Sequence, residues 1–262
     1  MAADILERII AHKKDEVLAA QKQWPVSALR ERAQAREDHR SLYAALDHPG
    51  EQVRIMAEIK RASPSKGDIC LDLDPAAVAQ SYERGGAAAL SVLTDAAFFK
   101  AGPADLQVAR EACSLPVLRK DFVISEYQIY EAAVWGADAV LLIVRILSEK
   151  QLSELMALCA ELSLDALVEV HTASDMETAL KANAALIGIN NRNLASFDTD
   201  LQTAVTLAEK LRPDQIAVAA SGITGRKDIE QNLKAGISRF LIGESLVRAE
   251  NPQTFLTHLI HG

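Results

Sequence analysis

The sequence predicts an α/β protein, a (β/α)8 TIM barrel preceded by a helical extension. Three observations predict it. Eight short apolar or β-branched runs follow one another after about residue 50. Amphipathic helix-like segments lie between them. The repeat is regular, at roughly 20 to 35 residues per unit, and eight units fit a barrel of about 250 residues with extensions. A doubly wound open sheet is the main rival. It would carry a glycine-rich G-x-G-x-x-G turn after its first strand, and KRASPSKG, which follows the first run here, has no such pattern.

The elements read as follows, in chain order. Ile5, Leu6, Ile9 and Ile10 recur at helical spacing, and a second helical segment follows Pro25. Residues 1–50 are therefore expected to be a helical extension packed on the barrel, and 51–262 the barrel itself, with no linker between. The strand runs are RIMAEIK, ALSVLT, PVLRKDF, AVLLIV, ALVEV, LIGIN, IAVAAS and RFLIG. SEKQLSELMALCAELS and LQTAVTLAEKL read as helices between them. Ser125 and Ser148 open helices as N-caps. Gly85, Gly86, Gly136 and Gly236 sit where helices stop.

The chain has 262 residues, 49% hydrophobic and 24% charged, with a net charge of −8. This is a globular composition, and the acidity argues against a nucleic-acid binder. Cys70, Cys113 and Cys159 lack metal-ligand spacing, which suits a reducing compartment. The longest apolar stretch, AVLLIV, is too short to span a membrane, and the amphipathic start lacks the apolar core and cleavage site of a signal peptide. The expected location is the cytoplasm.

In RIMAEIK, which runs on into RASPSKG, Ile55, Ala57 and Ile59 alternate with Met56, Glu58 and Lys60. A half-solvated antiparallel strand gives the same alternation. In a barrel both faces are covered, so Glu58 and Lys60 point inward at the C-terminal rim, where barrel enzymes act. Other strand ends repeat the device: Lys120, Glu169, Asn190 with Arg192, and Ser221. Buried charges are costly unless paired or functional. The alternative is a structural salt-bridge network across the barrel top. Of six histidines, only His171 lies near the rim. SGITG and IGES place Gly222 and Gly243 just after the seventh and eighth strands, where backbone N–H groups at helix starts favour a phosphate. The residues alone thus point to a barrel enzyme acting on a small phosphorylated anion.

The run AEIKRASPSKG, LSVLTD, VLRKDFVIS, ADAVLLI, LVEVH, GINNRNL, ASGI and IGESL resembles the motifs of the indole-3-glycerol phosphate synthase family, in order and across the chain. The resemblance implies ring closure, decarboxylation and dehydration of 1-(2-carboxyphenylamino)-1-deoxyribulose 5-phosphate, with no cofactor and no metal. It implies Lys120 as the general acid, Lys60 as the carboxylate-binding lysine, and Glu58 and Glu169 as the dehydration carboxylates. Asn190 would orient substrate and Arg192 would contact it. Ser63, Ser221, Gly222, Gly243 and the backbone of Glu244 would hold phosphate, with Glu244 standing where some relatives carry serine. Phe99, Phe122, Leu141, Leu194 and Ile223 would flank the anthranilate ring. Asn193 stands where aspartate is common. The expected partner is this small molecule, with no nucleic acid and no membrane, and the chain a monomer or weak homodimer. The alternatives are a sister phosphate-binding barrel such as phosphoribosylanthranilate isomerase, which would need a Cys and Asp acid–base pair, or a non-catalytic phosphate-binding barrel. The KRASPSKG loop is expected to close over bound substrate.

Overall fold

The structure is a computed structural model describing residues 5–47, 52–192 and 198–262. Leu194 and Asn193 lie outside the described residues, as does the expected boundary at Gly50. Three helices come first: α1 (Ile5–Gln23), α2 (Val26–Gln34) and α3 (Leu42–Leu46). Pro25 caps α2 in an extended conformation, since the ring blocks helical continuation across it.

The barrel strands are β1 (Arg54–Ile59), β4 (Ala89–Leu93), β5 (Val117–Lys120), β6 (Ala139–Ile143), β7 (Asp165–Val170), β8 (Leu186–Asn190), β9 (Ile216–Ala220) and β10 (Arg239–Ile242). All eight predicted runs form strands. Each pairs in parallel with its neighbours, and β1 closes the barrel against β10. Between β1 and β4 a small antiparallel hairpin, β2 (Ala62–Ser63) with β3 (Gly67–Asp68), rises from the rim. Gly67 takes the left-handed backbone there, at φ +65°, a conformation glycine adopts without steric cost.

The outer helices are α4 (Pro75–Arg84), α6 (Pro103–Glu111), α7 (Glu126–Trp135), α8 (Glu149–Glu161), α9 (Ala173–Lys181), α10 (Gln202–Ala208), α11 (Arg226–Leu233) and α13 (Pro252–His261), with one-turn helices α5 (Ala96–Phe99) and α12 (Glu244–Val247) at the rim. Ser125 and Ser148 cap α7 and α8 as predicted; Ser148 also shares a capping box with Gln151. Gly136 ends α7 in the left-handed conformation.

Strand parity divides the core in two. Ile55, Ala57 and Ile59 pack outward with the helices. Met56, Leu118, Leu141, Leu167 and Val218 fill the barrel. Leu42 and Leu46 of α3 join this inner cluster, fully buried, and plug the end where the strands begin. The opposite end is left open. Among the described residues, no helix is long and apolar enough to cross a membrane.

Candidate active site

The open end is a cavity of about 680 Å³ at the C-terminal ends of the strands. Strand pleating alternates side chains between the two faces, so the inward set at this level is Glu58, Lys120, Glu169 and Asn190. Lys60, one step past β1, keeps the same parity. All five line the cavity.

Glu58 and Lys60 form the tightest contact, Lys60 Nζ donating to Glu58 Oε1 at 2.6 Å. Ser91, opposite Glu58 on β4, donates to its other oxygen at 3.5 Å. Burial pushes the Glu58 carboxyl up, but Lys60 and Lys120 outweigh it and hold the group below the usual carboxylate range. Glu58 therefore enters the site ionised. Gly243 makes this packing possible. A Cβ there would lie 2.5 Å from Glu58 Oε1, so only glycine admits the carboxylate.

Across the cavity, Lys120 Nζ lies 3.8 Å from Glu169 Oε2. Behind Glu169 stands His171, its Nε2 3.4 Å from Glu169 Oε1. His171 is buried and not on the cavity wall. Burial, opposed by Glu169, pushes its imidazole pKa down, so it is neutral at pH 7. The rim thus presents two lysine–glutamate pairs facing one space. Such a space can offer a proton and remove one from the same bound molecule.

The expected phosphate loops meet on the other side. Ser221 and Gly222 follow β9 in successive left-handed conformations, at φ +67° and +83°. Ser221 is strained there, at a cost of roughly 1–2 kcal/mol, and such strain gathers at binding sites. A Cβ on Gly222 would meet the Thr199 methyl at 2.5 Å. Ser63, Ser221, Gly222, Ile223, Gly243 and Glu244 all line the cavity. The Glu244 carboxylate is encircled by cations: Arg248 Nε at 3.4 Å, Lys66 Nζ at 3.8 Å and Arg192 Nη2 at 4.0 Å. Arg192 also donates to Ser65 Oγ at the hairpin tip, at 3.1 Å, and receives a backbone tether through Asn190 Oδ1 at 3.0 Å.

Phe99 and Phe122 stand side by side on the wall, ring centroids 6.2 Å apart. Leu141 requires correction. It is not on the wall, because it pairs with Leu167, a layer below the rim. Ile143, which pairs with Glu169, takes that place. Sequence reasoning also missed Ile5, Leu6 and Ile9 of α1, which form part of the mouth. Their helical spacing gave no hint of which barrel end they reach. Arg248 was missed too, although its position four residues after Glu244 is a helical ion-pair spacing.

The family model for indole-3-glycerol phosphate synthase matches residues 6–259. Proteins named indole-3-glycerol phosphate synthase are similar along nearly their whole length. The one from Desulfosudis oleivorans is 55% identical over 260 residues, covering 98% of this chain and 99% of that one. Those from Syntrophobacter fumaroxidans and Laribacter hongkongensis are 50% and 45% identical, over 98% of this chain and 97% and 99% of theirs. Among solved structures, thiamine phosphate pyrophosphorylase from Pyrococcus furiosus is similar with a TM-score of 0.60 and 16% identity, over 84% of this chain and 96% of that one. This last likeness speaks to the fold alone.

Proposed function

The chain belongs to the indole-3-glycerol phosphate synthase family, and from that premise we propose how its rim residues divide the work. The activity is that of a carboxy-lyase of tryptophan biosynthesis, converting 1-(2-carboxyphenylamino)-1-deoxyribulose 5-phosphate to indole-3-glycerol phosphate, carbon dioxide and water. The observation that carries the assignment is the convergence of Glu58, Lys60, Lys120 and Glu169 on one cavity that also contains both glycine loops.

Phosphate binds through the backbone N–H groups of Gly222, Gly243 and Glu244 with the Ser63 and Ser221 side chains. Arg192 and Lys66 add positive charge in a chain that is acidic overall. The anthranilate ring packs on Phe99 and Phe122, with Ile223 beside it. Lys60 holds the substrate carboxylate. Lys120 gives a proton to the ketone oxygen as the ring carbon attacks C2 of the sugar chain. Carbon dioxide then leaves, and its bonding electrons pass into the iminium of the cyclised intermediate. Glu58 and Glu169 face that cation and serve the final loss of water, one as acid and one as base. Asn190 orients Arg192 and substrate. The hairpin tip closes over the bound molecule and excludes water. Ile5, Leu6 and Ile9 of the N-terminal extension wall one side of the mouth. The chain works in the cytoplasm as a monomer or weak homodimer.

The isomerase alternative loses its support at the wall. Among the described residues the cavity lining contains no cysteine and no aspartate; Cys113 and Cys159 are buried elsewhere. The test is turnover of the anthranilate substrate by purified protein, read by indole fluorescence and released carbon dioxide. One carbon dioxide per indole product is expected. Isomerisation of a sugar phosphate without carbon dioxide release would overturn the reading.

A further inference from the structure

We propose that Lys13 is a positioning residue for the ring-binding wall: its ammonium clamps the two rim loops that carry Phe99 and Phe122. The proposal deepens the functional reading above and rests on it.

Ile9, Lys13 and Val17 are spaced four apart on α1 and all three face the protein interior. A lysine at such a position is normally solvated, yet here it is fully buried. Its Nζ makes ion-pair contacts with Asp95 Oδ2 and Asp121 Oδ1, both at 3.0 Å, and donates to Glu16 Oε2 at 2.9 Å. Burial works against the charge, but Asp121, Asp95 and Glu16 together raise the Lys13 pKa above its ordinary value.

Each aspartate continues into a ring-bearing segment. Asp95 Oδ1 accepts from Phe98 N at 2.7 Å and caps α5, which ends in Phe99. Asp121 Oδ1 accepts from the backbone N of Phe122 at 2.8 Å. Asp121 Oδ2 accepts from Thr94 Oγ1 at 2.7 Å and from Arg119 Nη2 at 3.0 Å. Lys120 lies between Arg119 and Asp121 in sequence, so the same cluster fixes the end of its strand. The fully buried members are two cations, Lys13 and Arg119, and two carboxylates, Asp95 and Asp121. Removing one cation leaves an uncompensated buried charge, which is strongly unfavourable. The loops relieve it by moving apart, and the aromatic wall moves with them.

A residue that served stability alone would leave substrate affinity intact, so the test separates the two. Lys13→Met is compared with Val17→Ala, which removes buried contact from the same helix face without touching either aspartate. Both are assayed for turnover of the anthranilate substrate and for thermal stability. Lys13→Met is expected to raise KM at least tenfold with a smaller effect on kcat, while Val17→Ala keeps KM within twofold. Should Lys13→Met not fold, the charge-balanced pair Lys13→Met with Asp95→Asn replaces it, and the same rise in KM is expected because the clamp is still absent. An unchanged KM in a folded Lys13 variant overturns the proposal, as does an equal rise in Val17→Ala. Absence of turnover in the unaltered protein would instead overturn the functional reading.

Discussion

Gly243→Ala should disable the site although it replaces none of the proposed catalytic residues. The new Cβ would lie 2.5 Å from Glu58 Oε1, 3.0 Å from its Cβ and 3.1 Å from its Cδ. Ordinary contact begins at 3.4 Å, so the carboxylate must retreat by about 0.9 Å to reach it. Glu58 is buried and held at 2.6 Å by Lys60, so the retreat breaks or remakes that pair. Misplacement of a reacting group by about 1 Å costs roughly 10²-fold in rate, close to 2.7 kcal/mol of barrier at 1.36 kcal/mol per tenfold. Overpacking of this kind destabilises by about 1–3 kcal/mol, which lowers Tm by roughly 2–4 °C for each kcal/mol in a chain of this size. The assay is kcat/KM by indole fluorescence, with Tm from a thermal melt. Gly102→Ala is the control, since nothing lies within 4 Å of a Cβ there. Gly102 is an N-cap with extended backbone, and the change should leave turnover unaffected. A Gly243→Ala protein with kcat/KM within threefold of the parent would refute the reasoning that Glu58 must hold its place against Lys60.

Three further outcomes are expected. Lys120→Met should lower kcat by at least the roughly 10²-fold typical of a lost general acid; near-normal turnover would remove Lys120 from that role. Glu169→Gln should slow turnover strongly while substrate still binds, and a collapse of binding with kcat preserved would make the residue a positioning group. Glu244→Ser should strengthen inhibition by inorganic phosphate several-fold, because Lys66, Arg192 and Arg248 lose a competing anion. Inhibition that stays the same or weakens would show that the carboxylate does not compete with phosphate for these cations.

The barrel was legible because its signal is redundant. Eight apolar runs, each bounded by an amphipathic helix, leave few architectures; strand parity then turned Glu58, Lys120, Glu169 and Asn190 inward, and their place at the close of each run put them at one end. Depth along the barrel axis was not legible. Leu141 and Ile143 share a face, and only the β6–β7 register shows that Ile143, not Leu141, stands beside Glu169. The hairpin β2–β3 and the one-turn helices α5 and α12 are shorter than any periodicity can resolve. The role of Lys13 was invisible for a different reason. Its place four residues from both Ile9 and Val17 separates it from the solvated Lys14 beside it, but its partners Asp95 and Asp121 are distant in sequence, so nothing local shows what its ammonium meets. The role of α1 at the mouth depends on the same long-range packing.

The most direct test of the account is a crystal structure of the protein with indole-3-glycerol phosphate bound. The account predicts the phosphate between the Gly222 and Gly243 loops, the indole ring against Phe99 and Phe122, and the heterocycle between the Lys60–Glu58 and Lys120–Glu169 pairs. The ligand seated instead in the arginine-lined hollow of Arg32, Arg36 and Arg110, away from the C-terminal rim, would contradict it.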